Sequence, residues 1–344
     1  MKKIGKILCL FAVIFLLAAN PVFSQMPSIS DLTSLVDDFS ETMARSLPFN
    51  STMGLNWSDA YIGSILGFPP HFGVGVTFGA TFAPIASLSE LAEMFGFNIP
   101  IDFSVGLPMP GYLVEARVGG IILPFDVGVK FGYLDFHTDS IPFVSGLGLN
   151  SGMKYLLYGA DIRYSLVDLK ILPFKLSVGA SLNRLEGGIS TSIPIGLEYS
   201  FTNPSGGSDL RLKMANPNLA FIWDTTCFEL KAHASFPVFI ITPYVGAGVS
   251  WAWSRAGYKV NTSVTIEGGT YDSEDVKAEL RRLGITQIDD FERGLESIKE
   301  VNGFNMRLYG GCSFNLAMFK LDLTGMFNVM DQALGFTLGI RFQL

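Results

Sequence analysis

The sequence predicts an all-β fold: an antiparallel transmembrane β-barrel of about ten to fourteen strands, with a short N-terminal helix and a partly helical external loop. Three observations predict it. First, stretches with a period of two residues recur along the chain, apolar on one face and polar on the other. Residues 333–344 show the pattern. Leu334, Phe336, Leu338, Ile340, Phe342 and Leu344 fall on one face, and Gly335, Thr337, Gly339, Arg341 and Gln343 on the other. Second, the mean hydropathy is +0.37, yet no stretch after the leader reads as a spanning helix. The charge-free stretches 60–89 and 234–254 are broken by Pro69, Pro70, Pro84, Pro237, Pro243, Gly246 and Gly248, which suit strands and turns. An apolar chain without spanning helices leaves a closed barrel, because only helices and barrels satisfy the backbone in lipid. Third, the charges on the firm strands fall on the polar face, whereas Lys or Arg pointing into lipid at mid-membrane costs roughly 2–4 kcal/mol.

Residues 1–24 read as a secretory signal peptide. Lys2, Lys3 and Lys6 form its basic end, 7–19 its apolar core, and Val22-Phe23-Ser24 its cleavage site. Cleavage removes three lysines and takes the formal net charge from −7 to −10, a balance that gives no footing to nucleic-acid binding. Cys227 falls on a polar face and Cys312 on an apolar one, so no disulfide is expected between them.

Residues 25–50 form an N-terminal helical segment or plug. Leu32, Leu35, Val36, Phe39 and Met43 follow helical spacing, Ser30 caps the helix, and Pro48 stops it. The opposite face is acidic, with Asp31, Asp37, Asp38 and Glu41. Two placements stand open: a periplasmic helix on the rim, or a plug inside the lumen. Residues 55–62 read equally as a strand, a hatch segment or a turn.

The barrel occupies 51–344. Its first firm strand is 72–82. Hairpins follow at 112–121 with 126–133, at 155–166 with 175–183, at 227–236 with 244–253, and at 305–316 with 319–328, before the terminal strand. A further hairpin is legible at 193–201 with 210–214. Residues 84–96 read as an amphipathic helical loop. The insert 258–303 carries two short helices, one starting at 273–280 and one at 289–299. Short turns on one side and long loops on the other match the outer-membrane arrangement. Phe72, Phe82, Tyr133, Phe174, Trp251, Trp253, Phe319, Phe327 and Phe342 supply the interfacial aromatic girdles.

With these strands in place, residues 333–344 resemble the closing strand of bacterial outer-membrane β-barrel proteins, with Leu344 standing where phenylalanine is commonest. The resemblance implies the bacterial outer membrane as location, its lipid as surroundings, and the assembly machinery as a partner that reads the C-terminal strand. The segment ahead of the first strand, the aromatic and methionine content and the chain size also resemble the long-chain fatty acid transporter type. That resemblance implies an N-terminal hatch and a hydrophobic substrate that leaves sideways into the membrane. The strand number is low for it.

The inner face carries Glu115, Arg117, Asp126, Lys130, Asp161, Arg163, Lys175, Glu229, Lys231, His233, Arg307, Lys320, Asp322 and Arg341, with eight cations against five carboxylates. These are the lumen-lining candidates. They read either as a self-neutralising network or as a basic lining that attracts an anionic solute, with the acidic N-terminal helix neutralising the surplus. No catalytic group stands out. Glu229, Lys231, His233 and Ser235 form a stripe, but residues two apart on a strand lie about 6.5–7 Å apart, too far for Ser–His activation. No metal-ligand spacing and no phosphate-cradling loop is present, so no metal and no cofactor is expected. The expected function is passive uptake of a small anionic or hydrophobic solute by a non-enzymatic barrel. The alternative is a structural or adhesive outer-membrane protein acting through its external loops.

Overall fold

The computed structural model describes residues 29–66, 70–84, 106–121, 123–137, 150–169, 173–192, 197–201, 209–214, 216, 218–261, 264–267 and 295–344. Among the described residues, one helix, α1 (Ile29–Ser51), precedes β1 (Phe72–Ala83), β2 (Leu107–Gly119), β3 (Phe125–His137), β4 (Asn150–Leu169), β5 (Phe174–Ser192), β6 (Leu197–Phe201), β7 (Leu210–Met214), β8 (Asn218–Ser235), β9 (Ile241–Asn261), β10 (Val264–Glu267), β11 (Leu295–Leu316), β12 (Phe319–Asn328) and β13 (Ala333–Gln343). Ten of these strands close into a barrel in the order β1-β13-β12-β11-β9-β8-β5-β4-β3-β2. All neighbours are antiparallel, and the terminal strand seals the ring on β1 from Gly73↔Gln343 to Thr81↔Gly335.

The ten firm strands of the sequence are the ten barrel strands, because each needs one apolar and one polar face. On β13, Phe336 and Ile340 are 55% and 50% exposed, while Thr337 and Arg341, the residue after each, are buried. That is an inside-out pattern: apolar side chains point outward to lipid, and polar ones line the interior. Cys227 lies on the inner face and Cys312 on the outer. Along β9 the outward row runs through Val245, Val249, Trp251 and Trp253 to Arg255, which pairs with Asp224 on β8 at 2.7 Å. This change from aromatic to charged marks the upper edge of the lipid-facing band.

The barrel is uneven in height. β4, β5, β8, β9 and β11 have 20, 19, 18, 21 and 22 residues, against 10 to 13 for the other five. A tilted strand crosses a membrane in about 9–11 residues, so this half of the wall stands well beyond it at the long-loop end. The weakest seam lies between β2 and β3, whose register runs only from Val114↔Phe131 to Gly119↔Asp126. The rest of β2 contains Pro108, Pro110 and Gly111, and proline has no N–H for a ladder.

Three expectations change. The hairpin at 193–201 with 210–214 exists as β6 and β7, but it joins β10 in a separate three-stranded sheet rather than the barrel. The helix expected over 289–299 is not formed at its end: Leu295–Leu316 is strand, and it pairs with β9 as far as Leu295↔Val260. Phe291, Leu295 and Ile298 have helical spacing, but cross-strand pairing with the tall β9 sets the conformation from Leu295 onward. The helix expected from 273 and the loop over 84–96 lie outside the described residues, apart from Pro84. Finally, α1 continues through Pro48 to Ser51. Proline normally disfavours this, yet Leu47 and Phe49 on either side are buried in the lumen core, and packing overrides the local preference.

Candidate functional site: the lumen and the segment that fills it

Residues 29–66 thread the barrel from one mouth to the other. Near its start, α1 touches the long-loop end: Phe39 packs edge-on against Phe221 at 5.1 Å, and Asp37 pairs with Lys299 at 2.7 Å near the start of β11. At the other end, Ile62 N donates to Asp126 Oδ2 and Ser64 Oγ to Gly120 O, beside the β2–β3 turn. Of the two placements that stood open, the helix takes the lumen and not the rim. The helix hangs in the long-loop half of the lumen, and the chain continues from it to Leu66 at the short-turn end.

The two halves of the lumen differ in chemistry. Around α1 the filling is apolar: Met43, Leu47, Phe49 and Met53 pack against Leu107, Leu113, Leu157, Leu185, Phe221 and Trp223. Below it, residues 50–62 are almost all buried and meet the charged wall. Gly54 and Leu55 take left-handed backbone conformations (φ +79° and +55°). The resulting turn aims successive carbonyls at different strands.

Those carbonyls answer the surplus of cations. Lys130 Nζ donates to Ser51 O and Met53 O at 2.7 and 2.6 Å, Lys231 Nζ to Leu55 O at 3.4 Å, Arg163 Nη1 to Asp59 O at 2.7 Å, and Lys175 Nζ to Tyr61 O at 3.0 Å. Asp59 adds the one carboxylate that the segment contributes to this network. It accepts from Lys320 Nζ at 2.6 Å and from Arg341 Nη2 at 3.0 Å. Trp57 lies under the guanidiniums of Arg117 and Arg341, at 5.6 and 4.7 Å from its ring. Its Nε1 donates to Glu115 Oε2 at 2.5 Å.

The wall carries its own ion pairs as well. Arg117 Nη2 donates to both carboxylate oxygens of Asp161 (2.7 and 2.8 Å), and Arg117 also pairs with Asp126, which accepts from Arg163 Nε at 2.8 Å. Lys231 reaches Asp161 at 2.7 Å, Arg307 reaches Glu229 at 2.5 Å, and Arg341 reaches Asp322 at 3.2 Å. Gly128 makes room for the Arg117–Asp161 pair: a Cβ there would stand 2.5 Å from Asp161 Oδ1 and 2.7 Å from Arg117 Nη2.

All of the lumen-lining candidates face inward. Lys175 and Lys320 are half-buried, and the others are buried. The acidic face of α1 does not meet them. Asp37 turns to Lys299, whose hydrogen bond holds the Asp37 carboxyl below its ordinary range. Glu41 pairs with Arg45 on its own helix, Asp38 is exposed, and the side chain of Asp31 lies outside the described residues. Asp59, absent from the sequence candidates, takes the neutralising role expected of these acids. The stripe Glu229–Lys231–His233–Ser235 faces inward as a row, but its members have separate partners. His233 meets Tyr309 Oη and Ser58 O at 3.1 and 3.3 Å, and Ser235 Oγ accepts from Ala60 N at 3.1 Å. Among the described residues no group of three or more His, Cys, Asp or Glu is placed to hold a metal ion.

No protein-family model matches the chain, and no curated protein matches it. Among solved structures it is similar to a major outer membrane protein from Thermus thermophilus, at 11% identity over 79% of this chain and 99% of that one, with a TM-score of 0.30. It is similar to the outer membrane protease OmpT from Escherichia coli, at 9% identity over 80% and 97%, with a TM-score of 0.36. It is also similar to Ail, the attachment invasion locus protein of Yersinia pestis, at 9% identity over 80% and 97%, with a TM-score of 0.26. These likenesses concern architecture, and no activity is carried across at such identities. In fold, the chain is a closed ten-stranded antiparallel β-barrel with apolar side chains outward and charged ones within.

Proposed function

We propose that the protein is a passive uptake barrel for a small solute, closed at rest by its own N-terminal segment. The observation that carries the reading is the origin of the lumen's acceptors. The wall alone has a surplus of cations, and the groups that satisfy it are Asp59 and the backbone carbonyls of residues 51–61, a single continuous piece that is not part of the wall. A barrel that was only a structural body would reach neutrality within its strands. The weak β2–β3 seam, with Leu113 and Tyr155 behind it, is where a hydrophobic solute would leave sideways, as the fatty acid transporter resemblance implies. A second reading, a non-transporting protein acting at the cell surface, draws support from the five tall strands that extend past the lipid-facing band.

Planar-bilayer recording separates the two. Refolded protein starting at Gln25 should be silent, whereas protein lacking residues 25–62, checked for heat-modifiable migration, should form stable channels. Removing only 25–50 should open it less, since the carbonyls that answer the lumen cations begin at Ser51. If both truncations fold and neither conducts, uptake through the lumen is excluded and the surface reading takes its place.

A further inference from the structure

Resting on the displaceable-segment reading above, we infer that the opened lumen selects small anions over cations. When residues 50–62 leave, the losses fall unevenly. The wall carboxylates keep wall partners: Asp126 keeps Arg117 and Arg163, Asp161 keeps Arg117 and Lys231, Glu229 keeps Arg307, and Asp322 keeps Arg341. Lys130, Lys175 and Lys320 instead give up the hydrogen bonds described above, all of which run to the segment: two carbonyls for Lys130, one for Lys175, and Asp59 for Lys320.

These three ammonium groups stand on β3, β5 and β12, spread around the ring rather than gathered on one side. Lys130 lies at the level where α1 ends. Lys175 and Lys320 lie at the second position of their strands, at the short-turn end. A solute crossing the barrel passes all three. Glu115 is the one wall carboxylate freed with them, as it loses Trp57, and it lies opposite Lys130 in the β2–β3 register. A lumen lined by one sign of charge and enclosed by a low-dielectric wall concentrates the opposite ion. The ligand chemistry is that of a small anion, chloride or a carboxylate, held by ammonium groups without a fixed coordination shell.

The test is the reversal potential of single channels in a KCl gradient, using the full chain with Asp59→Asn to release the segment. Chloride should be favoured over potassium by at least about threefold. Adding Lys175→Glu and Lys320→Glu should lower that ratio and move the reversal potential toward the potassium side. Where these variants do not fold, the form lacking 25–62 gives the same reading. Open channels that favour potassium, or a ratio unmoved by the two reversals, overturn the anion inference and leave the gating reading standing. If the folded form lacking 25–62 never opens either, both readings are overturned.

Discussion

Asp59→Asn is expected to turn a silent barrel into one with frequent openings. Asp59 is 7% exposed, and its carboxylate joins Lys320 on β12 to Arg341 on β13. Asparagine keeps the shape and one acceptor but removes the charge between the two cations. Breaking a buried ion pair costs about 3–5 kcal/mol. Part of that falls on the closed state alone, because in the open state Arg341 retains Asp322 and Lys320 reaches water. A shift of about 3 kcal/mol toward the open form multiplies its population roughly a hundredfold. Bilayer recording of the full chain reads this directly. An Asp59→Asn barrel that folds and stays as silent as the parent would mean that the carbonyl contacts of residues 51–61 suffice to hold the segment, and the latch role of Asp59 would fall.

Asp126→Ala should damage the wall itself. Its Oδ1 accepts from Arg117 and Arg163, and its Oδ2 from Arg163 Nη2 at 2.9 Å and Ile62 N at 3.2 Å. Arg117 keeps Asp161, but Arg163 is left with the Asp59 carbonyl alone, and two guanidiniums face each other in a buried space. The expected cost is about 3–5 kcal/mol, a large share of a stability of about 5–15 kcal/mol. Urea unfolding in lipid vesicles, followed by tryptophan fluorescence and gel migration, measures it. Arg45→Ala is the matched control. Its partner Glu41 sits one turn away on α1, both side chains are about half exposed, and the change should stay within about 1 kcal/mol. Equal effects from the two substitutions would mean that the lumen is hydrated and its ion pairs are screened.

The sequence allowed the wall to be read almost completely, because alternation is a local signal repeated ten times. The faces of Arg117, Arg163, Glu229 and Arg341 followed from parity alone. What fills the wall was far less legible. Asp59 meets Lys320 and Arg341 across 261 and 282 residues, and the stretch around it has no period to reveal a face. One signal in the sequence and one in the structure bear on it. One was the cation surplus, which demanded acceptors from somewhere, and residues 55–62 were already open to a hatch reading. The structure adds the register of the glycines, which the sequence alone does not supply: Arg117 lies opposite Gly128, Lys130 opposite Gly159, Arg163 opposite Gly179, and Arg307 opposite Gly248. A long side chain beside a missing one lies across the lumen rather than along its wall, which implies a dense interior instead of an open pore. The placement of α1 was not legible, since an amphipathic helix with an acidic face suits a rim as well as a lumen. Pro48 misled because the helix is held by its packing, not by its own propensity.

The central claim is that residues 50–62 are a movable closure, and one tether tests it. The Ser51 side chain lies near the buried Cys227 thiol on β8, while the other thiol of the barrel wall, Cys312, faces outward. Ser51→Cys in the Asp59→Asn chain therefore permits a disulfide from the segment to the wall. Single-channel conductance is recorded after oxidation and again after a reducing agent, with disulfide formation verified by mass. The account predicts silence when oxidised and openings when reduced. Openings of equal size with the disulfide fully formed would show that ions pass without the segment moving, and the claim would be wrong.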